Sequence, residues 1–513
     1  MVVVGVQTGS ANADAQREAG ATALALSGGQ RAAAVQEAQA GAAATGKAIG
    51  LSGKEALVVR DVVKDADGTV HTRYERTYEG LPVLGGDLVV HQKKSGARST
   101  TKATEARISV ATTTAAVPSA TAKQAALASG ANASEAASTA RKVIWAATGK
   151  PVLAWETIVT GVQQDGTPSR RQVVTDATTG KELYAYEMIE TGSGNTMYAG
   201  QVTLGTSGSY TLTDALRGGH KTYDLNGGTS GTGSLFTNST DTWGNGLASN
   251  RETAAADAHY GAALTWDFYK NELGRNGIRG DGVAAYSRVH YGNAYVNAFW
   301  DDSCFCMTYG DGINNTHPLT SIDVAGHEMS HGLTASTANL RYSGESGGLN
   351  EATSDILGTS VEFYAGNATD AGDYLIGEKI DINGNGTPLR YMDKPSKDGK
   401  SADYWSKSVG RLNVHYSSGP ANHFFYLLSE GSGSKTINGV TYNSPTYDGS
   451  TVTGIGRTAA YKIWYKALST YMTSTTGYSG ARTATLNAAR DLYGAGSTQY
   501  NAVASAWTAI NVK

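Results

Sequence analysis

The sequence predicts an α+β protein whose first half is rich in strands, whose last part is helical, and whose chemistry sits on helices between the two. Three observations predict this. Residues 55–92 (E-A-L-V-V-R-D-V-V-K-D, then H-T-R-Y-E-R-T-Y-E-G-L-P-V-L-G-G-D-L-V-V-H-Q) alternate apolar with polar side chains between D-G, E-G and G-G turns, the period-two pattern of half-buried strands. Beyond residue 420 the spacing is helical in A-N-H-F-F-Y-L-L-S-E-G, R-T-A-A-Y-K-I-W-Y-K-A-L-S-T-Y-M, A-R-T-A-T-L-N-A-A-R-D-L-Y-G and Y-N-A-V-A-S-A-W-T-A-I. Two further helical stretches, 321–336 and 349–365, carry a histidine pair and a run of acids. Strands first and helices later is the α+β order.

Composition narrows the field. The 513 residues suggest two to four domains. Hydrophobic content of 40% and charged content of 17% describe a globular protein. A net charge of -3 leaves no electrostatic footprint for nucleic acid, and no apolar run approaches the roughly 18 residues of a membrane span. The profile of 64 Gly and 28 Tyr against 7 Phe suits a secreted enzyme with polar surfaces.

Along the chain, V-V-V-G-V at 2–6 and A-N-A-D-A at 11–15 read as the tail of a signal peptide whose beginning is missing, or as an ordinary frayed terminus. Residues 16–50, rich in Ala, Gly and Gln, read as a loosely ordered leader. After the strands of 55–92, residues 119–140 are Ala-rich and helical in propensity. Strand-like runs follow in K-V-I-W-A-A, P-V-L-A-W-E-T-I-V-T-G and R-Q-V-V-T-D-A-T-T-G-K-E-L-Y-A-Y-E-M-I. The small polar segment E-T-G-S-G-N-T at 190–196 is the candidate boundary. Many short strands and Gly/Asn turns are expected from about 193 to 290. Cys304 and Cys306 would share a face of a strand; they read as structural and allow a small disulfide.

The central feature is G-H-E-M-S-H at 326–331. Residues four apart lie one turn above each other on a helix, so His327 and His331 can present two imidazoles to one cation. Glu328 is about 100° round the helix, placed to reach a ligand of that cation. H-E-x-x-H is the pattern of zinc hydrolases. A catalytic zinc needs a third protein ligand and an open position for water, and Glu351 in G-L-N-E-A-T-S-D supplies it. Glu351, Asp355 and Glu362 fall on one helix face. If the two helices pack antiparallel, Glu351 comes opposite the histidines and Asp323 nearer Glu362. Asp355 is the right group to accept the second N–H of a bound imidazole, and Asn350 beside Glu351 belongs to the same surround. Asp323, Glu362, Asp373 and Glu378 form a clump of like charges, either a solvated acidic face or a calcium site.

H-E-M-S-H followed by G-L-N-E-A-T-S-D resembles the thermolysin family of zinc neutral metalloendopeptidases. So do V-N-A-F-W-D at 296–301, Y-G-D-G at 309–312, V-H-Y-S-S-G at 414–419 and the helical C-terminus. The likeness covers roughly residues 195–513. R-Y-E-R-T-Y-E-G-L-P-V-L-G-G-D-L-V-V-H at 73–91 is similar to the propeptides of thermolysin- and fungalysin-type proteases. Residues 120–190 resemble the inhibitory domain that commonly follows. The resemblance implies a two-subdomain protease behind an α+β propeptide, divided as leader 1–50, propeptide domain 51–110, second inhibitory domain 118–190, β-rich catalytic subdomain 193–335 and helical catalytic subdomain 336–513.

Carried over by position, it implies that His327, His331 and Glu351 bind one zinc ion and that Glu328 is the base acting on the water. Tyr342 and His415 would bind the oxyanion. Asn297 and Ala298 would hold the peptide main chain, Arg390 a substrate carbonyl, and Val324 and Leu389 an apolar side chain following the scissile bond. Asp323, Glu362, Asp373 and Glu378 match structural calcium positions. One departure stands out: an aspartate usually precedes the second catalytic histidine, and here V-G-R-L-N-V-H offers Asn413 instead. The function implied is a secreted neutral endopeptidase, monomeric, made as a zymogen with its own propeptide as inhibitor and folding aid, with no nucleic-acid or membrane partner. A zinc aminopeptidase and a catalytically silent zinc protein are the alternatives; no G-x-M-E-N-type amine-binding motif appears, and every chemical group is present. Two decoys are set aside. G-E-S-G-G at 344–348 satisfies G-x-S-x-G, but Ser346 lacks the strand-before-helix setting. D-I-N-G-N-G at 381–386 starts like a calcium loop yet has Met392 at its twelfth position. His290 and His423 are assigned to packing or hydrogen bonding.

Overall fold

A computed structural model of the chain describes residues 28–128, 133–162, 168–188 and 191–513, together with Leu24 and Leu26. The runs at 2–6 and 11–15 lie outside them. Contacts divide the chain into two units, Met1–Ile189 and Glu190–Lys513.

The first unit is built on one ten-stranded sheet. Strands Glu55–Lys64, Val70–Tyr78, Leu81–Leu84, Leu88–Gln92 and Arg98–Lys102 come from the first predicted stretch. Ala133–Ala137, Arg141–Trp145, Val152–Val162, Pro168–Asp176 and Glu182–Glu187 come from the second. The two sets join where Leu81–Leu84 pairs parallel with Arg141–Trp145. Alternation is visible in Val70–Tyr78, where Thr72, Tyr74, Arg76 and Tyr78 are buried and Arg73 and Glu75 exposed.

Two expectations fail in this unit. From residue 28 on the leader is not loose: α1 (Gly28–Ala40) and α2 (Ala42–Ala48) are helices, and Ala34 and Ala42 are buried with Leu57, Val59 and Tyr74. Alanine buries a helix face without the large apolar residues that make a periodicity visible. Among the described residues of the Ala-rich stretch 119–140, helix is confined to α3 (Ser119–Ala128). Ala133–Ala137 instead pairs antiparallel with Val152–Val162, a strand partner outweighing local propensity.

In the second unit, a six-stranded sheet runs in the order Thr213–Asp214, His220–Asp224, Tyr286–Val289, Cys306–Tyr309, Ala298–Asp301, with Ser234–Leu235 pairing to one side. Ala298–Asp301 is its edge. Thr191–Asn195 lies between Gln201–Gly205 and Thr242–Trp243 in a second sheet. The strand-rich reading of 193–290 missed α4 (Arg251–Leu273), a 23-residue helix. Its buried residues include Ala255, Ala258, Ala262, Trp266, Phe268 and Tyr269, too many round the helix for one apolar stripe to show. Its ends were nonetheless written in the sequence. Asn250 caps it by accepting from the Glu252 N–H at 2.9 Å, and Gly274 ends it at φ 65°, the left-handed conformation glycine adopts freely.

The two helices of the chemistry are α5 (Ile322–Ala335) and α6 (Gly344–Ala365). The second begins five residues before the predicted start at 349, taking in G-E-S-G-G. They approach closely because two glycines meet: a Cβ on Gly326 would stand 3.0 Å from Gly358 Cα, and one on Gly358 2.5 Å from Asp323 O. Beyond them α7 (Val414–Ser417), α8 (Gly419–Glu430), α9 (Arg457–Thr470), α10 (Tyr478–Tyr493) and α11 (Thr498–Ala509) form the helical end, with Trp464 and Trp507 fully buried. One continuous apolar core runs from Tyr198 to Val512.

Candidate metal centre and catalytic site

The close contact of α5 and α6 puts three donors at one point. His327 Nε2 and His331 Nε2 are 3.1 Å apart. Glu351 Oε1 lies 3.4 Å from His331 Nε2, and Glu351 Oε2 3.6 Å from His327 Nε2. Zinc bonds of about 2.0–2.1 Å at tetrahedral angles place ligand atoms roughly 3.3 Å apart, so the spacing fits zinc. The tautomers agree. His327 Nδ1 is 2.9 Å from Asp355 Oδ1, and His331 Nδ1 is 2.8 Å from Asn350 Oδ1. With each Nδ1–H donated, both Nε2 lone pairs turn toward one another, an arrangement that calls for a cation. Glu351 Oε2 is buried with no hydrogen-bond partner.

The partner pairs 327 with 355 and 331 with 350 run in opposite directions, so the helices are antiparallel. Asp355 is saturated: Arg390 donates to both its oxygens at 2.8 and 2.6 Å, and Asn422 Nδ2 to Oδ2 at 2.7 Å. Asn422, on α8, was not singled out from sequence; no spacing rule connects it to a carboxylate 67 residues away. Burial would raise the Asp355 and Glu351 carboxyls, yet both are held well below the usual range. Arg390 leads for Asp355, and His331 with His327 for Glu351.

Burial, with Glu351 nearby, raises the Glu328 carboxyl against the opposing pull of His327, His331 and the Trp300 backbone. Tyr342 is half exposed overall, but its hydroxyl is hydrogen-bonded to Glu351 Oε1 and lies 3.3 Å from His415 Nε2. Asn413, in place of the usual aspartate, orients His415: its Oδ1 accepts from the His415 backbone N–H at 3.0 Å and stands 2.8 Å from His415 Nδ1. Burial lowers the His415 pKa.

Asn297 is exposed and Ala298 buried at the start of the edge strand, whose outer side pairs with no other strand among the described residues. Val324 is buried on α5 and Leu389 half-buried beside Arg390.

At the far end of the same helix pair, oxygens of Asp323, Glu362 and Glu378 lie within 4.8 Å of one another. Asp373 stands outside that set, its backbone N–H donating to Glu362 Oε2 at 2.9 Å. Asp370, which sequence reasoning missed, is fully buried among them, and both its oxygens lack a hydrogen-bond partner, as do Glu362 Oε1 and Glu378 Oε2. Buried orphan oxygens of this hardness fit a calcium ion. Lys379 Nζ approaches Asp370 Oδ1 at 3.6 Å.

The decoys resolve. Ser346 sits in the first turn of α6 with its hydroxyl donating to Arg341 O and Ser343 O. Asp381 Oδ1 closes a turn by accepting from the Asn385 and Gly386 N–H groups. His290 contacts Asp311, and His423 contacts Asp403 O and Ser444 Oγ. Cys304 and Cys306 form a disulfide.

Comparison with known proteins agrees with this geometry. Residues 191–335 match the family model for the thermolysin metallopeptidase catalytic domain, and 338–512 that for its alpha-helical domain. Residues 55–98 match the fungalysin/thermolysin propeptide motif. A transglutaminase-activating metalloprotease of Streptomyces mobaraensis is 61% identical, covering 100% of this chain and 70% of that protein. Thermolysin of Alicyclobacillus acidocaldarius is 36% identical over 88% of this chain and 85% of its own length. Bacillolysin of Bacillus cereus is 32% identical, covering 90% and 86%.

Proposed function

Since the chain belongs to the thermolysin family of metallopeptidases, we propose that it is a secreted endopeptidase cutting on the N-terminal side of apolar residues. It is a neutral metalloprotease made with a propeptide. The observation that carries the finer reading is the spacing of His327, His331 and Glu351, with their second nitrogens held by Asp355 and Asn350.

Those three residues would hold zinc, which when bound supplies Lewis acidity, polarising a peptide carbonyl and making water nucleophilic near neutral pH. Glu328 takes the proton of the attacking water and passes it to the leaving amine. Burial brings its carboxyl toward the neutral range in which a general base works best. Tyr342 donates its hydroxyl, now resting on Glu351, to the oxygen on which charge develops. Ala298 and Asn297 offer the open edge of a strand to an extended substrate backbone. Arg390 reaches a substrate carbonyl while anchored on Asp355, and Val324 and Leu389 flank the apolar pocket. Asp323, Glu362, Asp370, Asp373 and Glu378 hold calcium. Casein cleavage that stops with a chelator and returns with zinc tests the reading; internal cuts by end-group analysis exclude an aminopeptidase. The name of the Streptomyces relative makes a transglutaminase precursor a second substrate to try.

His415 has Nδ1 turned to Asn413, so it can donate from Nε2 only when protonated. Activity should therefore fall as pH rises through its pKa. Asn413→Asp places a carboxylate on Nδ1, which favours the imidazolium by about one unit or more. The alkaline limb of kcat/KM should move to higher pH by that amount; an unmoved limb removes His415 from the proton inventory.

Maturation should separate the units upstream of Thr191. Thr191–Asn195 makes five backbone pairs with Gln201–Gly205, and a Cβ on Gly194 would meet Leu204 at 2.9 Å, so a cut inside this strand would remove a packed element. N-terminal sequencing of the active species is expected to begin at or before Thr191; a start at Thr196 would contradict this.

A further inference from the structure

The Cys304–Cys306 disulfide has no part in the chemistry above, yet it sits at the end of the hairpin that carries the substrate strand. Ala298–Asp301 pairs antiparallel with Cys306–Tyr309, and Asp301 opposite Cys306 is the last pair before the turn. The disulfide spans a single residue, Phe305, held at φ 53°, a left-handed conformation that a phenylalanine rarely adopts. Covalent closure on both sides keeps it there.

The position of Phe305 has consequences inward. Its ring lies 5.2 Å from the Trp300 ring at 86° and under the Arg279 guanidinium at 3.6 Å. Trp300 in turn covers Gly332, the residue after His331: a Cβ there would meet the indole at 2.6 Å. The backbone of the same Trp300 lies beside the Glu328 carboxylate. One chain of contacts thus runs from the disulfide through Phe305 and Trp300 to the base and the zinc-bearing helix.

We propose that the Cys304–Cys306 disulfide is a positioning element that holds Trp300 and the substrate strand in register with Glu328, and that its reduction reversibly lowers peptidase activity. This rests on the proposed function for its catalytic arm. Cys304 is partly exposed, which gives a reductant access. A water-soluble phosphine attacks one sulfur, the S–S bond breaks, water carries the phosphorus to its oxide, and two thiols remain. With the ring open, Phe305 relaxes from its left-handed conformation and the hairpin end frays. The loss should be greater for a substrate long enough to lie along Ala298–Asp301 than for one spanning only the scissile bond.

Two measurements test this. Hydrogen exchange on full-length Glu328→Gln protein needs no turnover: the phosphine should speed exchange of the Trp300 and Asp301 amides, leaving α9–α11 unchanged. Kinetics on the active enzyme compare a hexapeptide with a blocked dipeptide, zinc content being followed in parallel. Reduction should lower kcat/KM for the hexapeptide on the order of 10-fold to 100-fold and for the dipeptide less, with zinc retained and activity returning on reoxidation. The Cys304→Ser/Cys306→Ser double variant should match the reduced enzyme and ignore the phosphine. Unchanged exchange, equal loss on both substrates, or loss that tracks zinc release would overturn the proposal. Absence of hydrolysis by the untreated enzyme would instead sink the peptidase reading, while the exchange result still decides the hairpin.

Discussion

Glu328→Gln is expected to keep the metal and lose turnover. Glu328 follows His327 on α5 but stands apart from the three-donor set, with the Trp300 backbone beside its carboxylate. Glutamine keeps the shape and one oxygen, so the helix and the histidines need not move. What disappears is the proton acceptor, worth about 10²–10⁴ in rate by itself. If the chain matures itself, the variant should also accumulate as the unprocessed precursor. Zinc analysis alongside casein turnover checks both arms. A folded variant lacking zinc would mean that Glu328 is a ligand, and the division of labour between it and Glu351 would have to be redrawn.

The second large effect concerns the buried acids at the other end of α5 and α6. Burial first, then neighbouring carboxylates such as Asp323, push Asp370 and Asp373 up to about 7 and Glu378 to about 10. Glu362 is raised as well, by burial and then Glu378. In the unfolded chain these groups titrate near 4. The folded, cation-free protein therefore holds protons that the unfolded chain has released. The stability these four groups contribute is fully present below about pH 4 and is lost as pH rises through 7 toward 10. Calcium held by the ionised oxygens would reverse the sign on the alkaline side. Thermal unfolding at about pH 8 in calcium-free buffer should show a midpoint on the order of 10 °C below that in millimolar calcium. The gap should shrink toward about pH 5, where protons replace the ion. Equal midpoints in the two buffers would reduce the cluster to a protonated acidic core.

Much of this site was legible in the chain because helix geometry is local. His327, Glu328 and His331 follow from a spacing of four, and Glu351, Asp355 and Glu362 from a common face, so one assumption about antiparallel packing placed all six. The residues that escaped are those whose role depends on contacts far apart in sequence. Asn422 meets Asp355 across 67 residues, and Asp370 joins the acids only through the fold of the loop after α6. Asn413 stands where the family resemblance implies a carboxylate; its amide oxygen contacts the His415 ring without the charge. Among the elements, α4 was hidden by being buried on too many sides, and α1 by alanines that pack without announcing a face.

By itself, the sequence determined the donor types, their helical register and the strand alternation, since each depends on residues within a turn or two of one another. The tertiary structure alone decided that Gly326 and Gly358 let two helices approach closely enough for three donors to meet. It also decided that Asp355 is shared by Arg390 and Asn422, and that an edge strand is left open beside Glu328. Those outcomes are set by which surfaces bury one another, and a one-dimensional pattern carries no record of that choice.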